Sequence, residues 1–205
     1  MNPMKSYSVR RTGTSGQAFS QAVVLTDFSF PWESGAAPLT EFRALHDEQS
    51  LYFRFDCSDQ DLVLADGKTA RERVEGSDRV ELFVAPSRAL DPYYCLEIDP
   101  RAEVHDYRCR LYRQFDWDWR FPGLSATARV EGNRYWVEAR LPLDTLHALD
   151  VLKPGAREFY AGVYRAELSH RPDGSVHFGW LPWVDPRTEK PDFHVPESFG
   201  RFELL

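Results

Sequence analysis

The chain has 205 residues, a net charge of −7, and a composition that is 42% hydrophobic and 14% aromatic. This length suffices for one sizeable core and is short for two domains. The acidic balance and the lack of a lysine or arginine run argue against nucleic acids and anionic membranes as partners.

Residues 1–20 are polar and contain glycine, which predicts a flexible lead-in before one folded domain over residues 21–205. The lead-in has no apolar stretch typical of a secretory signal, and no segment of the chain is apolar for long enough to span a bilayer. The expected location is therefore the cytoplasm, or a secreted or periplasmic location if a signal has been trimmed from the N-terminus.

Short segments of alternating residues recur along the chain. In the clearest one, residues 51–57, the side chains of Leu51, Phe53, Phe55 and Cys57 point to one side. Further candidate strands are residues 22–26, 40–46, 78–84, 93–99, 104–112, 124–130, 135–141, 159–168 and 201–205. Turn residues separate these segments. The pattern predicts an all-β fold, a single antiparallel β-sandwich of jelly-roll or immunoglobulin type with about ten strands and at most short helical turns.

The three cysteines are Cys57, Cys95 and Cys109, and none belongs to a CxxC pair. Cys57 and Cys95 lie in predicted strands, where buried free thiols are common. We interpret all three as reduced structural thiols and predict no zinc site.

Residues 58–76 form a long charged connection. Its carboxylates Asp59, Asp61 and Asp66 are candidate ligands for a structural calcium ion, because oxygen ligands on a loop suit a hard cation. The spacing of an EF-hand is absent, so a solvated acidic loop is the simpler alternative.

Alternation also places charged side chains opposite the apolar sides of several strands. These side chains are Arg54, Asp56, Arg79, Glu81, Glu97 and Arg108. They form either a solvated outer face with cross-strand ion pairs or a concave face whose carboxylates and guanidinium groups hydrogen-bond sugar hydroxyls.

A catalytic role is the less favoured interpretation of these carboxylates. A glycosidase needs two carboxyl groups at a set separation, one of them with a raised pKa. Nothing in the sequence isolates Glu81 or Glu97 in an apolar environment, and nearby arginines would keep both ionised. Metalloprotease, esterase and phosphate-loop motifs are absent from the sequence.

Two loops are rich in large aromatic residues. One contains Trp117 and Trp119, and the other contains Trp180, Trp183 and Phe193. Aromatic walls are typical of small-ligand sites. The alternative is that these side chains cover one end of the core.

The order of these segments resembles the family-nine carbohydrate-binding modules, in particular their small stand-alone members. The resemblance extends from about residue 20 to the end of the chain. The segments that carry it are residues 51–55, 78–83, 93–98, 136–142, 180–182 and 193–200.

This resemblance implies a β-sandwich related to DOMON-like domains, sugar binding without catalysis, and structural calcium in some members. It also implies two tryptophans that sandwich a terminal sugar and a glutamate that bonds its hydroxyls. Glu81 matches the glutamate, and Trp180 matches the downstream tryptophan. Residues 71–77, where the upstream tryptophan is expected, contain no aromatic residue, so Trp117 or Trp119 is expected to take its place.

Together these features predict a non-catalytic domain that binds a mono- or oligosaccharide. Its predicted hydrogen-bonding residues are Glu81, Glu97, Arg108 and Arg165. Its predicted stacking residues are Trp117, Trp119, Trp180 and Phe193. Alternatives are a glycoside-processing enzyme, an accessory subunit of one, or a haem-binding DOMON-like module. Haem is the least favoured, because Met1 and Met4 are the only methionines that could serve as axial ligands.

Overall fold

β-Strands dominate the computed structural model of this chain, which describes residues 4–13 and 19–205. The described strands are β1 (Ser6–Arg11), β2 (Thr40–His46), β3 (Ser50–Ser58), β4 (Arg79–Ala85), β5 (Tyr93–Ile98), β6 (Val104–Arg110), β7 (Gln114–Asp116), β8 (Ser125–Val130), β9 (Arg134–Pro142), β10 (Glu158–His170), β11 (Val176–Pro182) and β12 (Gly200–Leu204). The helical elements are α1 (Ala70–Glu75), α2 (Leu143–Ala148) and two 3-10 turns, Phe19–Gln21 and Pro196–Ser198. The predicted all-β class is therefore confirmed.

Hydrogen bonds join these strands into one sheet. Its order is β7-β6-β5-β4-β10-β12-β1-β2-β3-β9-β8, and β11 pairs with the C-terminal part of β10. Neighbouring strands are antiparallel, except that β1 runs parallel to both β12 and β2. We call the strands on the β12 side of β1 (β4, β5, β6, β7, β10, β11 and β12) the first half-sheet, and β2, β3, β8 and β9 the second half-sheet.

The main hydrophobic core lies between the inner faces of the two half-sheets. Val80, Leu82 and Leu96 enter it from the first half-sheet, and Phe53 and Phe55 enter it from the second. Each of these side chains is at most 1% exposed. Because successive side chains of a strand point to opposite faces, the odd-numbered residues of β4 and β5 face away from this core. That outer face of the first half-sheet carries the candidate site.

The sheet is continuous, whereas the predicted sandwich has two separate sheets. Its ladder passes through β1 from one half-sheet to the other, and the sheet curls so that both halves cover the same core. The structure describes twelve strands where the sequence predicts about ten. The predicted strand at residues 22–26 is reduced to a single bridge between Leu25 and Phe42.

Part of the predicted lead-in belongs to the sheet. Residues 1–3 and 14–18 of that segment lie outside the described residues, but β1 pairs with both of its neighbours. Its inward side chains, Tyr7 and Val9, are 3% and 0% exposed. Two alternating apolar residues are too few to predict a strand in an otherwise polar segment. The segment forms a strand because it pairs with β12 and β2, which are distant in the sequence.

The helix α1 positions side chains at the edge of the outer face. Thr69 Oγ1 accepts the backbone N–H of Glu72, and the Glu72 carboxylate accepts the backbone N–H of Thr69. This capping box stabilises the start of the helix. Because α1 packs on β6, Arg71 and Glu75 reach the outer face. Neither α1 nor α2 has the length and apolar character needed to cross a membrane.

Candidate functional site

A cleft of about 400 Å³ opens on the outer face of the first half-sheet. Its floor is built by outward-facing residues of β4, β5 and β6, and its walls come from α1, β7, β11 and the segment before β12. The residues that line it are Arg71, Glu75, Arg79, Glu81, Glu97, Tyr107, Arg113, Phe115, Trp117, Trp180, Pro191, Asp192, Phe193 and His194. Strand alternation brings the polar groups of the floor here, because their neighbours along each strand face the core.

Two buried glutamates form the floor of the cleft and share one arginine. Glu81 and Glu97 lie directly opposite each other in the β4–β5 ladder and are 2% and 5% exposed. Arg79 Nε lies 3.0 Å from Glu81 Oε1 and 2.9 Å from Glu97 Oε2. The Tyr107 hydroxyl donates a hydrogen bond to Glu97 Oε1 at 2.9 Å. Opposed like charges destabilise a sheet, and the shared guanidinium offsets their repulsion.

Burial governs the protonation of the groups in and beside this floor. Burial and the neighbouring Glu97 raise the pKa of Glu81, against the lowering effect of Arg79. Burial also lowers the pKa of His105 to about 4 and that of His194 to about 3, so both imidazoles are neutral at neutral pH. The floor therefore offers both hydrogen-bond donors and acceptors to a ligand.

Trp117 forms one wall together with its neighbours. Its ring centroid lies 4.3 Å from that of Phe115, at an interplanar angle of 20°, and 4.8 Å from that of Tyr107. The guanidinium carbon of Arg71 lies 3.7 Å from the Trp117 ring centroid. Because β7 pairs with β6, the chain carries Phe115 and Trp117 over the Tyr107 end of the floor.

Trp180 forms the opposite wall, since β7 and β11 lie on opposite sides of β4 and β5 in the sheet. The guanidinium carbon of Arg79 lies 5.2 Å from the Trp180 ring centroid. Phe193 contacts the same ring edge-to-face, with centroids 5.7 Å apart. Phe193 is itself buried and stacks on Tyr164 at 4.1 Å and 9°. Phe193 therefore packs between Trp180 and Tyr164 and holds the Trp180 ring in position.

Asp192 forms hydrogen bonds that connect the β6–β7 loop to the segment before β12 at the rim of the cleft. The Tyr112 hydroxyl donates to Asp192 Oδ2 at 2.5 Å, and Arg113 Nη2 donates to Asp192 Oδ1 at 3.3 Å. Asp192 Oδ1 also accepts the backbone N–H of His194 at 2.9 Å. His194 Nδ1 is bonded to the Tyr93 hydroxyl at 2.8 Å. These bonds hold the β6–β7 connection against the segment before β12 and fix this side of the cleft.

The structure brings five of the predicted ligand-binding residues into the cleft. They are Glu81, Glu97, Trp117, Trp180 and Phe193. Arg108, Trp119 and Arg165 do not line it. Arg108 is paired with Tyr94, which faces the core, and its guanidinium bonds Asp116 at 2.6 Å. Trp119 packs against Tyr94 with ring centroids 4.9 Å apart, on the core side of the sheet.

Arg165 is fully buried on the inner face of β10. The sequence predicts that Arg165 hydrogen-bonds a ligand, but carboxylates pair with its guanidinium inside the fold. Arg165 Nη2 lies 3.3 Å from Asp59 Oδ2 and also pairs with Glu167. Asp78 lies beside them and accepts two backbone N–H groups, at 2.7 and 2.8 Å. Arg165 is therefore a structural ion-pair residue in this fold.

A carboxylate cluster around Arg165 has the spacing of a metal site. Its members, with ligand oxygens within 4.8 Å of one another, are Asp59, Asp78 and Glu167. Of the predicted calcium ligands, only Asp59 belongs to this cluster. Asp61 accepts hydrogen bonds from the backbone and ring of His170 at 2.5 and 2.9 Å, and Asp66 is exposed. Because Arg165 already pairs with Asp59 and Glu167, and both oxygens of Asp78 accept backbone N–H groups, the cluster does not fit a calcium ion while this arginine is in place.

Several lining residues are absent from the predicted ligand-binding set, although Arg79 belongs to the predicted polar face. They are Arg71, Glu75, Arg79, Tyr107, Arg113, Phe115, Pro191, Asp192 and His194. Strand alternation is sufficient to place the side chains of Arg79 and Tyr107 on the outer face that forms the floor of the cleft. Arg71 reaches the cleft only because α1 packs on β6. No local pattern marks Arg113 or Asp192, whose loops meet through tertiary contacts.

The other charged residues of the predicted polar face lie on the outer face of the second half-sheet. Arg54 bonds Asp56 at 2.5 Å and Glu138 at 2.6 Å, and Arg43 bonds Asp56 at 3.0 Å. This face matches the alternative of solvated cross-strand ion pairs, each worth about 0.2–1 kcal/mol. Trp136 also lies here, with the Arg54 guanidinium 4.9 Å from its ring centroid, and provides a control position remote from the cleft.

Stability is expected to fall as the pH rises from about 6.5 to about 8.5. Burial raises the pKa of Glu167 to about 8 and that of Asp78 to about 7. These carboxyls titrate near pH 4 in the unfolded chain, so the folded chain binds more protons. Their contribution to stability is complete below about pH 4 and is lost as the pH rises through 7 and 8.

His105 and His194 act in the opposite direction, because burial lowers their pKa values. Their effect is confined to pH values below about 6.5, where imidazoles of the unfolded chain become protonated. Thermal denaturation should therefore give a lower Tm at about pH 8.5 than at about pH 6.5. Glu167→Gln should reduce the difference, and a Tm that rises over this interval would contradict the prediction.

The profile of the family described as "Carbohydrate family 9 binding domain-like" matches residues 12–205. No curated protein is significantly similar in sequence. A solved structure from Bacteroides uniformis, provisionally described as a carbohydrate-binding protein, has 16% identity and a TM-score of 0.76, with 99% of this chain and 100% of that chain covered.

Two solved structures of family 9 carbohydrate-binding modules from Caldicellulosiruptor kristjanssonii are also similar. The complex with glucose has 14% identity and a TM-score of 0.65, with 98% of this chain and 96% of that chain covered. The complex with cellotriose has 13% identity and a TM-score of 0.64, with coverages of 98% and 93%. At these identities the structures show a shared fold. Because the family profile spans nearly the whole sequence, this chain belongs to the carbohydrate family 9 binding domain-like family.

Proposed function

We propose that this chain is a non-catalytic carbohydrate-binding domain whose sugar lies in the cleft between the walls of Trp117 and Trp180. The observation that carries the proposal is the buried floor of Glu81, Glu97 and Arg79 between two tryptophan-bearing walls. A sugar combines apolar C–H faces with hydroxyl groups. Apolar walls and a charged hydrogen-bonding floor are therefore complementary to it.

Family membership supports the same class of ligand. The solved family 9 modules that share this fold bind glucose and cellotriose. We expect weak affinity for this chain, because a few hydrogen bonds and one or two stacking contacts must offset the entropy lost on binding.

The arrangement of the two floor glutamates supports binding without hydrolysis. In a glycosidase the two carboxyl groups stand on either side of the scissile bond, with the sugar between them. Here Glu81 and Glu97 are cross-strand neighbours, and both form ion pairs with Arg79 Nε, which donates its hydrogen bond to Glu81. The guanidinium lies beside one oxygen of each glutamate, at 3.0 and 2.9 Å, so we assign both glutamates to hydrogen bonding with the ligand.

Trp180→Ala is expected to weaken sugar binding by about ten-fold or more, because it removes the exposed aromatic surface of one wall. Isothermal titration calorimetry with glucose, galactose, mannose, xylose and cellotriose measures this loss. Trp136→Ala on the second half-sheet is the matched control and should bind like the wild type. Equal losses in the two variants would contradict the proposed site.

A wild-type chain that binds none of these sugars would contradict the proposed ligand class. Release of new reducing ends from cellotriose, measured in the same samples, would contradict the non-catalytic assignment. The two readouts separate a binding domain from a glycoside-processing enzyme.

A further inference from the structure

Both faces of the Trp117 indole are covered in this structure. The guanidinium carbon of Arg71 lies 3.7 Å from the Trp117 ring centroid and therefore covers one face of the ring. The Phe115 ring, at 4.3 Å and 20°, lies on a face as well. Two groups this close would overlap on the same face, so they cover opposite ones. A ligand therefore cannot stack directly on Trp117 while Arg71 remains in place.

The surface that this wall presents to the cleft is the guanidinium of Arg71. Its side chain is 42% exposed and lines the cleft. Arg71 Nε donates to Glu75 Oε1 at 2.8 Å, which holds the guanidinium plane against Trp117. Among the described residues, the two terminal nitrogens of Arg71 have no hydrogen-bond partner. One flat face and two free donor groups therefore remain available to a ligand.

We propose that Arg71 contacts the ligand and determines specificity, with the C–H face of a neutral sugar ring on its guanidinium plane. Hydroxyl groups at the edge of the sugar would accept hydrogen bonds from the free terminal nitrogens. This inference rests on the proposed function and deepens it. The stack of Phe115, Trp117 and Arg71 orients the guanidinium, so little side-chain entropy is lost on binding.

The charge of the lining favours a neutral sugar over an anionic one. The lining contains three arginines and four acidic residues, so it has no excess of positive charge. Each arginine already has a carboxylate partner: Arg71 bonds Glu75, and Arg113 bonds Asp192. A sugar carboxylate at Arg71 would be repelled by Glu75, which is 39% exposed beside it.

Titration calorimetry with glucose, xylose, cellotriose and glucuronic acid tests the proposal on three variants and the wild type. Arg71→Ala should bind the neutral sugars roughly ten-fold more weakly, the loss expected for one or two charge-assisted hydrogen bonds. Arg71→Lys should show the same loss, because lysine has neither the planar face nor the paired donors. Arg73→Ala is the control on α1, since Arg73 pairs with Glu103 and does not line the cleft. It should bind like the wild type.

Each contrary outcome has a distinct meaning. Undiminished or tighter binding by Arg71→Ala, with Trp180→Ala still impaired, would overturn this inference and leave the proposed function intact. Full binding by Arg71→Lys would overturn the role of the guanidinium plane. Tighter binding of glucuronic acid than of glucose by the wild type would overturn the preference for neutral sugars. A wild type that binds no sugar would overturn the proposed function as well.

Discussion

Arg165→Met is expected to lower the free energy of unfolding by about 3–5 kcal/mol, because it leaves buried carboxylates without their cation. Arg165 is fully buried, and the oxygens of Asp59, Asp78 and Glu167 lie within 4.8 Å of one another around it. Methionine fills a similar volume, so the loss of charge outweighs the loss of packing. Urea denaturation monitored by fluorescence at about pH 8.5, where Asp78 and Glu167 are ionised, measures the change.

The matched control for Arg165 is Arg129→Met, which removes an arginine that is 65% exposed and paired with Glu131. That change should cost at most about 1 kcal/mol, as expected for a surface ion pair. Stability of Arg165→Met should recover partly as the pH falls below about 7, where Asp78 and Glu167 are protonated. It should also recover partly on addition of calcium, which suits three clustered carboxylates. A loss no larger than that of the control would contradict the structural role of Arg165.

Arg79→Met is expected to abolish sugar binding and to destabilise the chain by a similar amount, about 3–5 kcal/mol. Arg79 is 5% exposed and holds both floor glutamates, at 3.0 and 2.9 Å. Its removal leaves two opposed carboxyl groups in a buried ladder position, where at least one must take up a proton. Calorimetric titration and thermal denaturation of the same sample measure the two effects.

A triple variant distinguishes the charge of the floor from its shape. Adding Glu81→Gln and Glu97→Gln to Arg79→Met removes the uncompensated carboxylates, so the triple variant should be more stable than Arg79→Met alone. Sugar binding should remain lost, because the guanidinium is still missing. A triple variant less stable than the single one would contradict the proposed electrostatic cause.

Strand alternation explains why much of the floor was predictable. Glu81 and Glu97 interrupt runs in which the alternate residues are apolar, and that local pattern places both on the face away from the core. The structure confirms the alternation and adds the register, which sets the two glutamates directly opposite each other. Register depends on pairing between segments that are distant in the chain, so alternation alone does not reveal that they share Arg79.

In the aromatic loop after β6, the local sequence pattern does not predict which face of the sheet each tryptophan covers. An extended chain would point Trp117 and Trp119 to the same side. The chain turns after Asp116, at the end of β7, so that Trp117 faces the cleft while Trp119 packs on Tyr94 at the edge of the core. Apolar surface was available on both faces of the sheet, and only the path of the loop decided which face each indole covers.

Arg165 and Arg108 show the same dependence on tertiary structure. Both stand on the side of their strands that faces the core, whereas the sequence predicts that both hydrogen-bond a ligand. The buried position of Arg165 is tolerated because Asp59 and Glu167 arrive from other segments to pair with it. The alternation of residues along a strand does not show which residue will form an ion pair with a buried charge. That ion-pair partner determines whether the buried charge has a structural role.

The sequence by itself determined the all-β class, the strands that build the site, and the two glutamates and two tryptophans of its floor and walls, because side-chain alternation is a local property of a strand. Tertiary structure alone decided that β1 joins two half-sheets, that Arg165 neutralises an internal carboxylate cluster, and that Arg71 covers Trp117. Each of these depends on contacts between segments far apart in the chain, and such contacts are selected by burial and charge pairing in the folded state rather than by local spacing.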